Sequence, residues 1–254
     1  MRILYSVGFL ILGLLFGSFY NVVGFRLPQK KSIIKPRSSC SKCSHILKWY
    51  ELIPVMSFIF QKGKCRHCHK SISLFYPFTE LMTGILFMVS YYIFGFNPNL
   101  LISLFIVSFL IIVIVSDLNY MIIPDEITLL FSILVIIVKF ILLDFNTGLF
   151  SLLSGVIMFT IMYLIMLIGN LIFKKETLGG GDIKLMFFIG LTLHPILAIL
   201  TIFIGSIIAL PVAIYLQVKK NEKMIPFGPF LLLGNAFIFL TQLDLNTIKL
   251  LLTK

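Results

Sequence analysis

Acidic side chains are what this chain has least of. Ten Asp and Glu occur in 254 residues, against 21 Lys and Arg, and charged residues of both signs amount to 12%. Soluble domains carry about a quarter charged residues, so an ordinary solvated globule is excluded. Cysteine is also scarce: four residues, all between positions 40 and 68. No repeat and no low-complexity tract is present, which excludes solenoids and disordered arrays. The one glycine run, LGGGDIKLM (178–186), lacks the G-K-[ST] ending of a phosphate loop, so a P-loop is excluded as well.

What is present is hydrophobic. Apolar residues make up 59% of the chain and fall into long runs. The fold class expected is an all-α polytopic membrane protein with about eight transmembrane helices. The spans read from the sequence are 4–25, 76–95, 98–116, 127–143, 149–173, 182–193, 195–217 and 227–243. The sixth is short and runs almost directly into the seventh at His194–Pro195. The first lacks a basic lead-in and a small-residue cleavage site, and reads as a retained span.

Charge supplies an orientation. Eleven Lys and Arg fall in residues 25–75, where Glu51 is the only acid. The next basic clusters are Lys174, Lys175 and Lys184, then Lys219, Lys220 and Lys223. With eight spans all three clusters lie on one side. That is the positive-inside bias, and it places the N-terminus outside. The organisation expected is a first helix (1–25), a cytosolic insert (26–75) and a helical membrane domain (76–254). The net charge of +11 is then topological and faces membrane lipids; no nucleic-acid role is needed to explain it.

All four cysteines lie in the insert, as SSCSKCSH (Cys40, Cys43) and GKCRHCHK (Cys65, Cys68), with 21 residues between the pairs. Two C-x2-C knuckles are the pattern of a tetrahedral four-thiolate zinc site. A reducing cytosol argues against two disulfides. Such a site has no open coordination position, so the zinc is expected to be structural, stapling a segment with little core of its own. His45, His67 and His69 are expected to be bystanders.

Two acids stand apart from the other eight. Asp117 ends the run LLISLFIVSFLIIVIVS, and Asp182 opens the run after the three glycines. An ionisable group at the margin of the hydrocarbon is costly and points to function. Two carboxylates held close share one proton and suit aspartic-protease chemistry. Gly179, Gly180 and Gly181 then read as a mobile loop carrying Asp182 toward Asp117, with Gly181 placed for positive φ. The competing reading makes both acids helix caps, and spacing alone does not separate the two. Asp125 and Glu126, after Pro124, are expected to cap the helix they open. Asp144 and Asp244 fall in loops, and Glu176 and Glu222 among lysines.

The chain resembles the bacterial type IV prepilin peptidases, intramembrane aspartyl proteases with a G-x-G-D signature. GSFYNVVGFRLP (17–28), the paired C-x2-C motifs, YELIPVMS (50–57), SLFYPFTELMTG (73–84), SDLNYMIIPDEIT (116–128), GGGDIKLM (179–186) and PFGPFLLLG (226–234) carry the resemblance, in order. It implies that Asp117 and Asp182 are the catalytic pair, and that prepilins or pseudopilins are the substrates. It also implies a cut after Gly in a basic leader, then N-methylation from S-adenosylmethionine. No strand followed by a glycine-rich turn is visible for a methyltransferase of the usual sort, so methylation rests on the resemblance. Glu80, the only acidic or basic group of the second span, reads either as an acid snorkelling to the interface or as the carboxylate that holds the donor's cation or the product's new amine. A peptidase with a purely structural insert, a zinc-bearing scaffold of a secretion system, and a transporter with a broken helix are the alternatives. The bareness of the spans argues against the last.

Overall fold

The structure is a computed structural model describing residues 1–175, 177–220 and 226–244, with backbone alone at 219 and 220. Glu176, Glu222 and Lys223 lie outside the described residues. Nine helices appear among the described residues: α1 (Arg2–Arg26), α2 (Met56–Phe60), α3 (Phe75–Phe94), α4 (Pro98–Tyr120), α5 (Asp125–Val138), α6 (Phe145–Phe173), α7 (Gly180–Thr192), α8 (Pro195–Lys220) and α9 (Gly228–Leu240). A π-helical turn, Lys139–Leu143, extends α5. The only bridges among the described residues are two isolated ones, both in the insert.

Six of the helices are long and apolar enough to cross a membrane: α1, α3, α4, α5 with its extension, α6 and α8. The sixth and eighth expected spans form α7 and α9, of 13 residues each. At 1.5 Å per residue each is about 20 Å long, short of a hydrocarbon core of about 30 Å. Every expected span is thus a helix, but two of the eight fall short of full spanning length.

The chain divides into two compact units, Met1–Phe96 and Asn97–Lys254. The boundary groups α3 with α1 and the insert, rather than with the later helices. In the first unit α1 packs along α3. The contact depends on Gly13 and Gly17, a G-x-x-x-G spacing that lets two apolar helices approach closely. A Cβ at Gly13 would lie 2.7 Å from the Thr83 carbonyl, and one at Gly17 2.8 Å from the Glu80 Cα. The Thr79 hydroxyl donates to Asn21 Oδ1 at 2.9 Å, and Phe9 stacks on Tyr91 with ring centres 4.7 Å apart.

In the second unit α4 is the core element; Val107, Phe109, Leu110 and Ile111 are fully buried. It packs on α9 and α5, while α7 lies against α5, α6 and α9. Helix C-termini leave carbonyls without helical partners, and α6 supplies donors for those of α7. Ser154 donates to the Leu193 carbonyl at 2.9 Å, and Ser151 donates to that of Leu191. At the same crossing a Cβ on Gly190 would meet the Ser154 carbonyl at 2.7 Å. Thr192 hydrogen-bonds Asn235 of α9 at 3.0 Å.

Gly17→Ala inserts a methyl where there is no room, and overpacking of this kind costs about 1–3 kcal/mol. Gly8→Ala, on the same helix, meets nothing within 4 Å. Thermal unfolding in detergent is expected to show a Tm several degrees lower for Gly17→Ala and no decrease for Gly8→Ala. Equal Tm values for the two variants would contradict the close α1–α3 packing.

Candidate active site and metal site

Asp117 lies one turn before the end of α4, where the Met121 N–H closes the helix on the Asp117 carbonyl at 2.9 Å. Met121 is left-handed (φ 53°), and the chain turns through Ile123 and Pro124 into α5. Asp117 is buried, 6% exposed. Its carboxylate accepts from the Gly228 backbone N–H. Asp182 is the third residue of α7, within a first turn whose free N–H groups favour an anion. The two carboxylates are close enough for their charges to interact. Residues far apart in the chain therefore lie within electrostatic reach of each other in the second unit. No Lys or Arg ion pair to either is present among the described residues.

The glycine run differs from expectation. Gly179 is the N-cap of α7 (φ −70°, ψ 137°), and Gly180 and Gly181 are helical residues of its first turn. Gly181 is not at positive φ. Only Gly179 precedes the helix, so the run is not a loop. The reason for a small residue at 181 is proximity: a Cβ there would lie 3.0 Å from Ile123 Cδ1. Ile123 also flanks Gly228, where a Cβ would meet Ile123 Cδ1 at 2.8 Å, Leu185 Cδ1 at 3.1 Å and Asp117 Oδ2 at 3.2 Å. Gly228 brings a backbone donor onto the first aspartate because it has no side chain. Its place in the PFGP stretch was visible in the sequence; its partner was not.

Asp125 and Glu126 do not cap α5. Pro124 is the N-cap position, with no side-chain cap bond, and the two acids fill the first turn. Asp125 instead takes both oxygens to Lys184 Nζ, each at 2.7 Å. This bond ties the start of α5 to the turn of α7 that carries Asp182. The partners are 67% and 48% exposed, so the pair contributes about 0–1 kcal/mol.

The four cysteine sulfurs lie within 4.8 Å of one another, with Cys40 and Cys68 3.9 Å apart. A tetrahedral ion with bonds of about 2.3 Å sets sulfurs about 3.8 Å apart, so the donor set fits zinc. The insert builds it by repeating one knuckle twice. Cys40 N–H donates to His45 O at 2.9 Å, and Cys65 N–H to Lys70 O at 3.0 Å. Ser44 and His69, the left-handed residues of the two turns, donate to the carbonyls of Cys40 and Cys65. Each knuckle closes on an isolated bridge, Ser39 with Ile46 and Lys64 with Ser71. The Lys42 N–H donates to Cys40 Sγ at 3.4 Å and holds that thiol down at about 7. Cys43 accepts from the His45 backbone, yet desolvation and its sulfur neighbours push it up to about 12. Crowded thiols resist shared negative charge, and a divalent ion removes the resistance. His45 and His67 stack on each other, 5.1 Å between ring centres.

Glu80 has a partner that the sequence did not reveal. Its Oε2 accepts from the Val55 backbone N–H at 2.7 Å. Val55 has φ 60° and ψ −50°, an outlier for a β-branched residue that costs about 1–3 kcal/mol and persists only where neighbours enforce it. The carboxylate on α3 is the anchor that holds this strained turn of the insert.

Two family models match the chain: the Bacterial Peptidase A24 N-terminal domain over residues 11–94, and the Type IV leader peptidase family over residues 104–214. The chain is 34% identical over 236 residues to the prepilin leader peptidase/N-methyltransferase of Bacillus subtilis (strain 168), covering 91% of this chain and 92% of that protein. It is 30% identical over 256 residues to the protein of that name from Vibrio cholerae, covering 94% and 98%. Over 257 residues it is 30% identical to the one from Neisseria gonorrhoeae, covering 90% and 88%. No solved structure matches.

Two outcomes follow from the geometry. Metal analysis of detergent-purified protein should find one zinc per chain, reduced by any single Cys→Ser at 40, 43, 65 or 68 and unchanged by substitution of His45, His67 or His69. Full zinc in all four Cys→Ser variants would refute the ligand set. Gly228→Ala displaces the donor to Asp117, and misplacement of about 1 Å at a reacting group costs on the order of 100-fold. Cleavage of a substrate by this variant should fall by that order, whereas Asp125→Asn, which weakens only an exposed ion pair, should stay within about threefold. A mild effect at Gly228 would remove it from the site.

Proposed function

This chain belongs to the type IV prepilin leader peptidase/N-methyltransferase family, and we propose that it is the membrane-embedded aspartyl endopeptidase that removes the basic leader of a type IV prepilin or pseudopilin after a glycine, then methylates the new N-terminus from S-adenosylmethionine. The observation that carries the peptidase reading is the meeting of Asp117 and Asp182, from the end of one helix and the start of another, with no cation between them among the described residues.

In this reading the pair holds one proton. The ionised carboxylate takes a proton from a water molecule as its oxygen attacks the scissile carbonyl carbon. The protonated carboxyl donates to the carbonyl oxygen, and the tetrahedral intermediate collapses with the C–N electrons returning to nitrogen. Nitrogen leaves carrying a proton, so one water is consumed and the pair is restored. Burial of Asp117 excludes bulk water that would weaken these interactions.

The orientation follows from charge. Placing the basic clusters in the cytosol puts the insert there, with the ends of α4 and α7 at the cytosolic interface and the N-terminus outside. A prepilin obeys the same rule: its basic leader stays in the cytosol while its apolar helix enters the bilayer. The scissile bond then arrives at the depth of the carboxylates.

Methylation is a separate step. The neutral N-terminal amine attacks the methyl carbon, the C–S bond breaks with its electrons on sulfur, and the surplus proton passes to solvent. A zinc ion held by Cys40, Cys43, Cys65 and Cys68 would leave no open position for this chemistry and would serve to shape the insert.

Asp117→Asn and Asp182→Asn are each expected to lower cleavage of a full-length prepilin on the order of a thousandfold or more, since members of a catalytic unit fail together. Either variant cleaving at a near-normal rate would refute the assignment. Supplied with an already cleaved pilin, Asp117→Asn should still methylate it. A folded, zinc-loaded variant inactive on that substrate would replace two sites with one shared site.

A further inference from the structure

We propose that the cavity inside the first unit, walled by α1, α3 and the cysteine insert, is the binding site for the methyl donor, an adenosyl sulfonium with two positive charges and one carboxylate. The inference rests on the methyltransferase reading above and gives that activity a location.

The cavity has a volume of about 620 Å³, within the ~300–1,000 Å³ of small-molecule sites. Ser18, Asn21 and Phe25 of α1 line one side and Tyr76 and Glu80 of α3 another; the insert contributes Glu51, Phe58 and the flank of the Cys40 and Cys65 knuckles.

Its charge is the decisive feature. Met1–Phe96 contains two acidic residues, Glu51 and Glu80, against twelve Lys and Arg. Both acids line this one cavity, and both are buried. Neither has a Lys or Arg ion pair among the described residues; the one charged contact is His45 Nε2, 3.8 Å from Glu51 Oε2.

Each carboxylate commits an oxygen to the backbone of the insert. Glu51 Oε2 accepts from the Lys48 N–H at 2.9 Å, and Glu80 Oε2 accepts from the Val55 N–H at 2.7 Å. Ser18 adds a hydroxyl donor to Glu80. A carboxylate offers about four acceptor positions, so both retain capacity toward the cavity. Arg26, Lys42 and Lys70 also line the cavity, with no ion pair to either acid among the described residues, so two buried carboxylates beside three cations suit a ligand that carries both signs of charge. A methyl donor of the sulfonium class bears two positive charges, one on sulfur and one on its α-ammonium, and its purine suits the ring faces of Phe25, Phe58 or Tyr76. Its own carboxylate suits Arg26, Lys42 or Lys70 of the same lining.

Glu51 and Glu80 are thus given two tasks. They hold the backbone of the insert in shape, Val55 in its strained conformation included, and they present negative charge to the ligand. Substitution by Gln separates these tasks. An amide oxygen still accepts from the Lys48 or Val55 N–H, while the charge is gone.

Isothermal titration of S-adenosylmethionine into the zinc-loaded protein in detergent is expected to show binding, weakened about tenfold or more by Glu51→Gln and by Glu80→Gln. Zinc content and Tm of the variants serve as the folding controls. S-adenosylhomocysteine, one positive charge poorer, should lose less affinity than the donor in the same two variants. If both variants bind the donor as tightly as the unaltered protein, the cavity is not the site; methylation of a cleaved pilin by the unaltered protein would then leave the methyltransferase reading intact. If the unaltered protein neither binds the donor nor methylates, both fall. Should a variant lose zinc, an 8-azidoadenosyl analogue of the donor, photolysed on the unaltered protein, decides. Labelled peptides are expected from residues 47–61 or 71–80, and labelling confined to residues 97–244 would overturn the proposal.

Discussion

Two carboxylates brought close in an apolar protein, with no Lys or Arg ion pair to either among the described residues, are the constraint on which the second unit turns. Each is costly at the margin of the hydrocarbon, and together they repel. Nothing in unfolded chain chemistry favours the arrangement; the helices must enforce it. The enforcing parts are visible. The α4 helix is buried along most of its length and ends one turn after Asp117. The α7 helix is anchored at its far end by Ser151, Ser154 and Asn235, so its first turn has a fixed direction. Gly181 and Gly228 let Ile123 sit between the three helix ends, and the Gly228 N–H is brought onto Asp117 as a donor. The α7 N-terminus offers Asp182 a favourable dipole in place of a cation.

The first unit solves a different problem. It is basic, has little core of its own in the insert, and is held by small contacts with large consequences. Gly13 and Gly17 permit the α1–α3 approach; four cysteine sulfurs converge within 4.8 Å of one another in the insert; and Glu80 ties that insert to α3 by one hydrogen bond. Each fastening spans a long stretch of sequence, so removing any one is expected to loosen the others.

Much of this was legible in the sequence, for identifiable reasons. Apolar runs bounded by charge or proline specify helices, and all eight appear. The paired C-x2-C spacing specifies a knuckle geometry, and the sulfurs converge. The scarcity of acids drew attention to Asp117 and Asp182. What sequence could not convey is which backbone a side chain will meet. GGGD read as a loop because glycine is permissive, yet the run starts a helix, and its glycines serve close approach to Ile123. Asp125 read as a cap because it follows a proline, yet Lys184 claims it from another helix. Glu80 read as a lone acid in a span, yet its oxygen holds Val55 in a conformation no propensity scale suggests. GLLFG in α1 carried the close-approach spacing openly, but only the coordinates name Thr83 and Glu80 as the neighbours.

The central claim is that the carboxylate pair activates a water molecule to cut a prepilin at the membrane interface. Cleavage by the purified protein in 18O-labelled water, under single-turnover conditions and with products weighed by mass spectrometry, tests it most directly. The account predicts one 18O atom in the new C-terminal carboxyl of the released leader and none in the pilin. An unlabelled leader, or a leader bound covalently to the protein before release, would contradict it.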